Sequence, residues 1–153
     1  CMVWNDKVRA LGIAGESRGE IYNIIFRRCT VLHSLADWAA EVGALCVVLC
    51  DAGTVHDIVF EQIDVLDERA NGINCMLFRD RWSTDTQAGH IRAICFRDIS
   101  LPKNVSVRLW GYDAAHRVED ILLQNVHMEE AEAPWLDSNV YTSEIQVRGT
   151  RNE

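Results

Sequence analysis

No run of basic residues longer than the pair Arg27-Arg28 occurs in this sequence, and 23 acidic against 15 basic side chains leave a formal net charge of −8. Nucleic acid is not expected as a partner, because its phosphates require a concentration of Lys and Arg. No apolar stretch approaches the roughly 20 residues of a membrane-spanning helix, and the longest, Ala44 to Cys50, is the length of a strand. A membrane is therefore not expected as a partner either. A charged n-region followed by an apolar segment and a small-residue cleavage site is also missing, so no export signal can be read and the compartment stays open. The six cysteines, Cys1, Cys29, Cys46, Cys50, Cys75 and Cys95, never form a CxxC pair, which removes the usual zinc spacing. Cys46 and Cys50 would stand about 13 Å apart along an extended strand, too far to bridge. All six are read as reduced, buried side chains acting as small hydrophobes, and neither a metal nor a cofactor is expected. Helical patterning is scarce as well: Asp37 to Val42, after Ser34, could form one short turn.

What the sequence does have is a repeat. At 153 residues and 48% hydrophobic, it suits one domain with a continuous core. Four segments share one template: Ile21 to Val31, Val55 to Val65, Ile91 to Leu101 and Val118 to Met128. The starts fall at 21, 55, 91 and 118, so by subtraction the spacings are 34, 36 and 27. Each template is apolar at i, i+3, i+5, i+8 and i+10, which fits neither a helical stripe nor one alternating strand. Two short strands with a bend before i+8 satisfy it.

Stacked coils would place Ile24, Ile58, Ile94 and Ile121 in one interior ladder and Phe26, Phe60, Phe96 and Leu123 in another. No single unit could bury such residues alone. Cys29 falls in the ladder of Ile63, Ile99 and Val126, as a core aliphatic would. Further β-like runs at Ala10 to Ala14, Ala44 to Cys50, Cys75 to Phe78 and Val105 to Trp110 sit between the templates and suggest another sheet of the same solenoid. A leucine-rich horseshoe would need a shorter period, and a sandwich would not repeat one template four times. The expected fold is all-β, a right-handed parallel β-helix of about four to five coils over residues 1–128, with 129–153 as a C-terminal capping tail of the same domain. In that tail, Glu129 to Pro134 breaks the repeat and Val140 to Val147 is expected to fold back over the last coil. Cys1-Met-Val-Trp4 aligns with Cys29-Thr-Val31-Leu32 and starts mid-coil with no N-terminal cap, so this strand is expected to fray or to pair with another copy. Ile25, Val59, Cys95 and Leu122 should line up as an apolar stripe on the outside, covered by the insertions Asp37 to Gly43 and Arg79 to Gly89 or by another subunit. A homo-oligomer is the expected partner arrangement.

The segment from Cys1 to Ile24, with Trp4-Asn5-Asp6, Gly15-Glu16-Ser17-Arg18 and Ile21-Tyr-Asn-Ile24-Ile-Phe26, resembles a stretch of the β-helical glycoside hydrolases. The dextranase and isopullulanase family is the nearer likeness and the polygalacturonase family the more distant one, over residues 1 to about 128. The resemblance implies a polysaccharide or oligosaccharide partner. It also implies paired aspartates including an adjacent Asp-Asp, since inverting hydrolysis sets a general acid and a water-activating carboxylate roughly 6.5–9.5 Å apart. This sequence contains no Asp-Asp. By the resemblance, that coil would lie immediately upstream of Cys1. The polygalacturonase Gly-His-Gly and Arg-Ile-Lys motifs are replaced by Asn5-Asp6-Lys7 and Leu45-Cys46-Val47. The implied role is the C-terminal part of a polysaccharide-hydrolysing enzyme that supplies carbohydrate subsites. The alternative is a non-catalytic binding or assembly module, and a third reading makes Asp6 and Glu16 a hydrolytic pair.

Candidate carbohydrate contacts are Trp4, Asn5 and Asp6, Glu16 with Arg18 as a hydroxyl-binding pair, and His33 with Asp37 and Trp38, where a loop leaves the coil. An Asn5-Asp6 turn and a surface ion pair are the plainer readings. Polar connections holding Arg81, Trp82 and Asp85, and Trp110, Tyr112, Asp113 and His116, are further loop candidates. His56, His90 and His127 flank template strands at outward sites, too spread for a metal.

Overall fold

A computed structural model describes residues 1–35, 42–103, 105–128, 134–149 and 151–152. Among these residues the chain forms twelve strands and no helix. The expected turn at Asp37 to Val42 falls outside the described residues except for Val42, which is in no regular element. The strands are β1 (Met2–Asn5), β2 (Leu11–Gly15), β3 (Glu20–Ser34), β4 (Leu45–Leu49), β5 (Thr54–Val65), β6 (Ile73–Leu77), β7 (His90–Leu101), β8 (Val107–Trp110), β9 (Val118–Met128), β10 (Leu136–Ser138), β11 (Thr142–Arg148) and β12 (Arg151–Asn152). They alternate between two sheets. The first has the order β1-β3-β5-β7-β9-β11 with β12 also on β9, the second β10-β8-β6-β4-β2, and every pairing is parallel. Successive pairs of strands thus form successive rungs of a solenoid-like stack.

The register between strands is that of the sequence templates. Ile24, Ile58, Ile94 and Ile121 pair across β3, β5, β7 and β9, as do Phe26, Phe60, Phe96 and Leu123. The three phenyl rings stack with centroids 4.7 and 4.8 Å apart. Cys29 sits opposite Ile63 in the third ladder, buried as a small hydrophobe.

Each long strand bends twice. Residues with positive φ recur at i+2 (Asn23, Asp57, Ala93, Asp120) and at i+7 (Arg28, Gln62, Asp98, Asn125). A left-handed residue at each corner turns the strand so that the inward residues on either side of it fall three apart instead of two, which accounts for the odd steps in the apolar pattern. Asn and Asp tolerate that conformation because their short polar side chains bond locally; other L-residues are strained by about 1–2 kcal/mol. Ala93, at φ 53°, is the one member of its row without a polar side chain. Ala93→Asn is therefore expected to raise stability by about 1 kcal/mol, read as a higher urea midpoint at unchanged slope. A lower midpoint would contradict the corner assignment.

At four places the structure departs from the sequence reading. The tail does not fold back: β11 continues the stack, with Ile145 beside Ile121 and Val147 beside Leu123, and β10 extends the second sheet from β8. At the other end Met2 and Val3 pair with Thr30 and Val31 as aligned, but a bulge then sets Trp4 against His33 rather than Leu32. The cysteines are not all buried, since Cys1 is exposed and Cys95 half-buried. Cys95 belongs to the outer stripe, which forms in register but is open enough that Ile25 is 56% exposed. Arg79 to Gly89 does not cover it, because that insertion is tied to the end of β4 instead.

Candidate functional site

The second sheet is apolar on its inner face and, over β2, β4 and the end of β6, on its outer face as well, whereas Asn74, Arg108 and Asp137 make the rest of the outer face polar. Leu45, Val47 and Leu49 point into the main core, while Cys46 and Val48, one residue out of phase, form an outer cluster with Met76, Ala14 and Phe78. β4 and β6 are buried at every position, as expected for strands covered on two sides. On this outer face lies a cavity of about 270 Å³, lined at one end by Arg9 and Val42 and at the other by Gly15, Glu16, Cys50, Phe78, Asp80 and Trp82, with Val48 on its floor. Gly12, paired with Cys46, lets β2 lie close against β4. A Cβ there would stand 2.2 Å from the Cys46 carbonyl oxygen.

The polar groups of this groove are few and distinct. Burial pushes the Cys46 thiol up to about 11 against the lowering effect of Arg9, and burial likewise raises Cys50 although Ser83 bonds to it. Both thiols stay protonated near neutrality and are poor nucleophiles. The Arg9 Nε is buried without a hydrogen-bond partner. Glu16 is exposed and makes no hydrogen bond or ion pair among the described residues. Asp80 is partly committed to its own turn, its Oδ1 accepting the Trp82 amide at 2.7 Å. Trp82 is 53% exposed, with the Arg81 guanidinium 4.7 Å from its ring centroid.

The turn that carries Asp80 and Trp82 hangs on one buried carboxylate. Asp51 Oδ1 accepts the amides of Thr84 and Asp85 at 2.7 and 2.9 Å, and its Oδ2 accepts the Thr84 hydroxyl at 2.8 Å. The Asp85 amide first, then Thr84 and Arg18, outweigh burial and hold the Asp51 carboxyl at about 2. Asp85 Oδ2 in turn accepts the Ala52 amide at 2.9 Å. Arg18 bonds Thr84 and lies 3.4 Å from Asp51 and 3.5 Å from Asp85. The expected pairing of Arg18 with Glu16 is thus replaced by pairing with this anchor, whose buried charge attracts the guanidinium more strongly than an exposed carboxylate does.

A second cluster gathers four of the sequence candidates, Trp4, Asn5, Asp6 and His33, where the first sheet turns toward the second. Trp4 packs against His33 with ring centroids 4.7 Å apart and planes tilted by 34°, and its Nε1 donates to Asp6 Oδ1 at 2.8 Å. His33 lies between two carboxylates, Nε2 at 3.1 Å from Asp6 and Nδ1 at 2.5 Å from Asp67. Burial alone would raise Asp67, but Arg69 and the amides of Arg69 and Ser34 lower its carboxyl to about 2. Asn5 holds the turn: its Oδ1 accepts the amides of Lys7 and Val8, and its Nδ2 donates to the Arg9 carbonyl. Asp37 and Trp38 lie outside the described residues.

Asp6 and Glu16 are not brought together. Nine residues lie between them, and the five of β2 alone span about 16 Å at ~3.3 Å per residue, against the roughly 6.5–9.5 Å of an inverting pair. Among the other loop candidates, Asp113 Oδ1 accepts the amides of Ala115 and His116 and contacts His116 Nδ1, which shapes their turn, and Trp110 Nε1 donates to Asp137, which ties β8 to β10. His56 points outward yet is covered, between Glu20 and Asp57 and beneath the stacked ring of Tyr22. Among the described residues no group of His, Cys, Asp and Glu could hold a metal ion. Sequence reasoning missed Arg9, Asp80, Asp51 and Asp67. Their only signal was a charged side chain in a connection beside a strand end, outside the repeated templates. Compared with family models, curated proteins and solved structures, the chain matches none.

Proposed function

We propose that this chain is a right-handed parallel β-helix of the kind used by polysaccharide-processing enzymes, and that the groove on the outer face of the second sheet binds a saccharide. The observation that carries this reading is the make-up of the groove. A half-exposed indole stands over an apolar floor, flanked by an unpaired carboxylate, a second carboxylate and a guanidinium with an orphan donor. A pyranose ring presents C–H faces to an aromatic ring and hydroxyls to such groups, and both needs are met within one cavity. Hydrolysis within the groove would fall to Glu16 and Asp80, the carboxylates that line it. Asp80 is already engaged in its turn, so the reading favours a set of subsites over a complete catalytic pair.

Titration with soluble glucan and galacturonan oligosaccharides, followed by tryptophan fluorescence and calorimetry, tests the reading. Trp82→Ala is expected to weaken binding by about tenfold to a hundredfold, with Trp82→Phe retaining most of it and the melting temperature little changed. Binding without new reducing ends identifies a binding module; release of reducing ends that Glu16→Gln abolishes identifies an enzyme. If wild type and Trp82→Ala bind every oligosaccharide equally, or neither binds any, the groove is not a saccharide site.

A further inference from the structure

The stack brings two cysteines that are far apart in sequence into contact. Cys1 and Cys29 are 28 residues apart, and their Sγ atoms lie 2.8 Å from one another. The pairing of Met2 with Thr30 sets Cys1 directly beside Cys29 on adjacent parallel strands. Such strands run about 4.8 Å apart, inside the roughly 4.4–6.8 Å Cα separation that a disulfide accepts. Cys1 is exposed and Cys29 buried, so one sulfur is open to a reagent and the other waits behind it. Among the described residues the other four cysteines do not pair across strands: Cys46 stands opposite Asn74, Cys75 opposite Val47, Cys95 between Val59 and Leu122, and Cys50 follows β4 beside Ser83.

We propose that Cys1 and Cys29 are a thiol–disulfide exchange site that closes into a cross-strand disulfide when it meets a small disulfide oxidant, for which glutathione disulfide is the probe. The Cys1 thiolate attacks one sulfur of the probe, forming a mixed disulfide and releasing one glutathione thiolate. Cys29, losing its proton, then attacks the Cys1 sulfur and expels the second glutathione. Two protein thiols are oxidised, the probe is reduced to two thiols, and the two protons pass to them. The bond ties β1 onto β3 at the strand that holds Trp4 against His33, and so fixes the second polar cluster as well.

The test treats the folded full chain with glutathione disulfide, followed by intact-mass and non-reducing peptide analysis. The expected product is a monomer lighter by two hydrogen atoms, with one link between the peptides containing Cys1 and Cys29 and with slower amide exchange in Met2–Asn5. Reduction restores the starting mass, and Cys1→Ser, at an exposed position, abolishes the product without altering the fold. Cys29→Ala should instead stop at a stable glutathione adduct on Cys1. A persistent adduct on the wild-type chain, a link to any other cysteine, a disulfide-linked dimer, no reaction, or a link formed only in denaturant would each overturn the proposal.

Discussion

Phe60→Ala is expected to destabilise the protein by about 3–5 kcal/mol, the usual cost of emptying a fully buried aromatic site. Phe60 is the middle of three stacked rings, with Phe26 on one side and Phe96 on the other, and none of its surface reaches solvent. Removing it takes away contacts to both neighbouring rungs, and the parallel strands on either side are held in register by Ile58 and Ile63, so the cavity cannot close by a simple shift. Phe60→Leu should cost less than half as much, because Leu123 fills the same place one ladder step beyond Phe96. Urea unfolding of the three proteins checks the order. Equal midpoints for wild type and Phe60→Ala would mean that the Phe ladder is not an interior one.

Asp51→Ala is expected to release the turn over Arg79 to Gly89 while leaving the strands in place. Two amides, one hydroxyl and Arg18 converge on this carboxylate. Limited proteolysis should then cut within this turn at least about tenfold faster, and any saccharide binding that depends on Trp82 should fall with it. Asp51→Asn keeps one oxygen for the two amides and should be intermediate. The anchor also has a pH signature. Because the folded carboxyl is held below its unfolded value of about 3.9, its contribution is complete above about pH 4 and is lost as pH falls toward about 2, where Asp67 is lost too. A turn equally resistant to protease at pH 2.5 and pH 6, or in Asp51→Ala and wild type, would show that it is held by other contacts.

The parts of this structure that could be read from sequence are those in which a side chain must repeat. The inward ladders require an apolar residue at every rung, so Ile24 with Ile58 and Phe26 with Phe60 announce themselves, and the intervening runs mark the second sheet to within a few residues. The last rung escaped because its template is degraded: Thr142 stands at i and Gly149 at the second corner, leaving Ile145 and Val147 as the apolar anchors seen in β11. A spacing of 24 from Val118 to Thr142, shorter than the 27 before it, hid the match further. The first corner row escaped because Ala93 and three polar residues share a backbone conformation but no side-chain property except small size or polarity. The groove was the least legible part. Glu16 and Trp82 were visible as a carboxylate and an aromatic in polar connections, but their meeting depends on Asp51 pulling a turn from the next rung across the sheet. No local pattern records a contact of that kind, and the same holds for Asp67 and Arg69 around His33.

The most direct test of the account is amide hydrogen exchange with and without a saturating oligosaccharide that the titration has identified. The expected result is protection confined to the outer face of the second sheet, at Gly15 and Glu16, Val48 to Cys50 and Phe78 to Trp82, with the first sheet unchanged. Protection centred instead on the stripe of Ile25, Val59, Cys95 and Leu122, or no local protection under saturating ligand, would contradict the assignment of the groove.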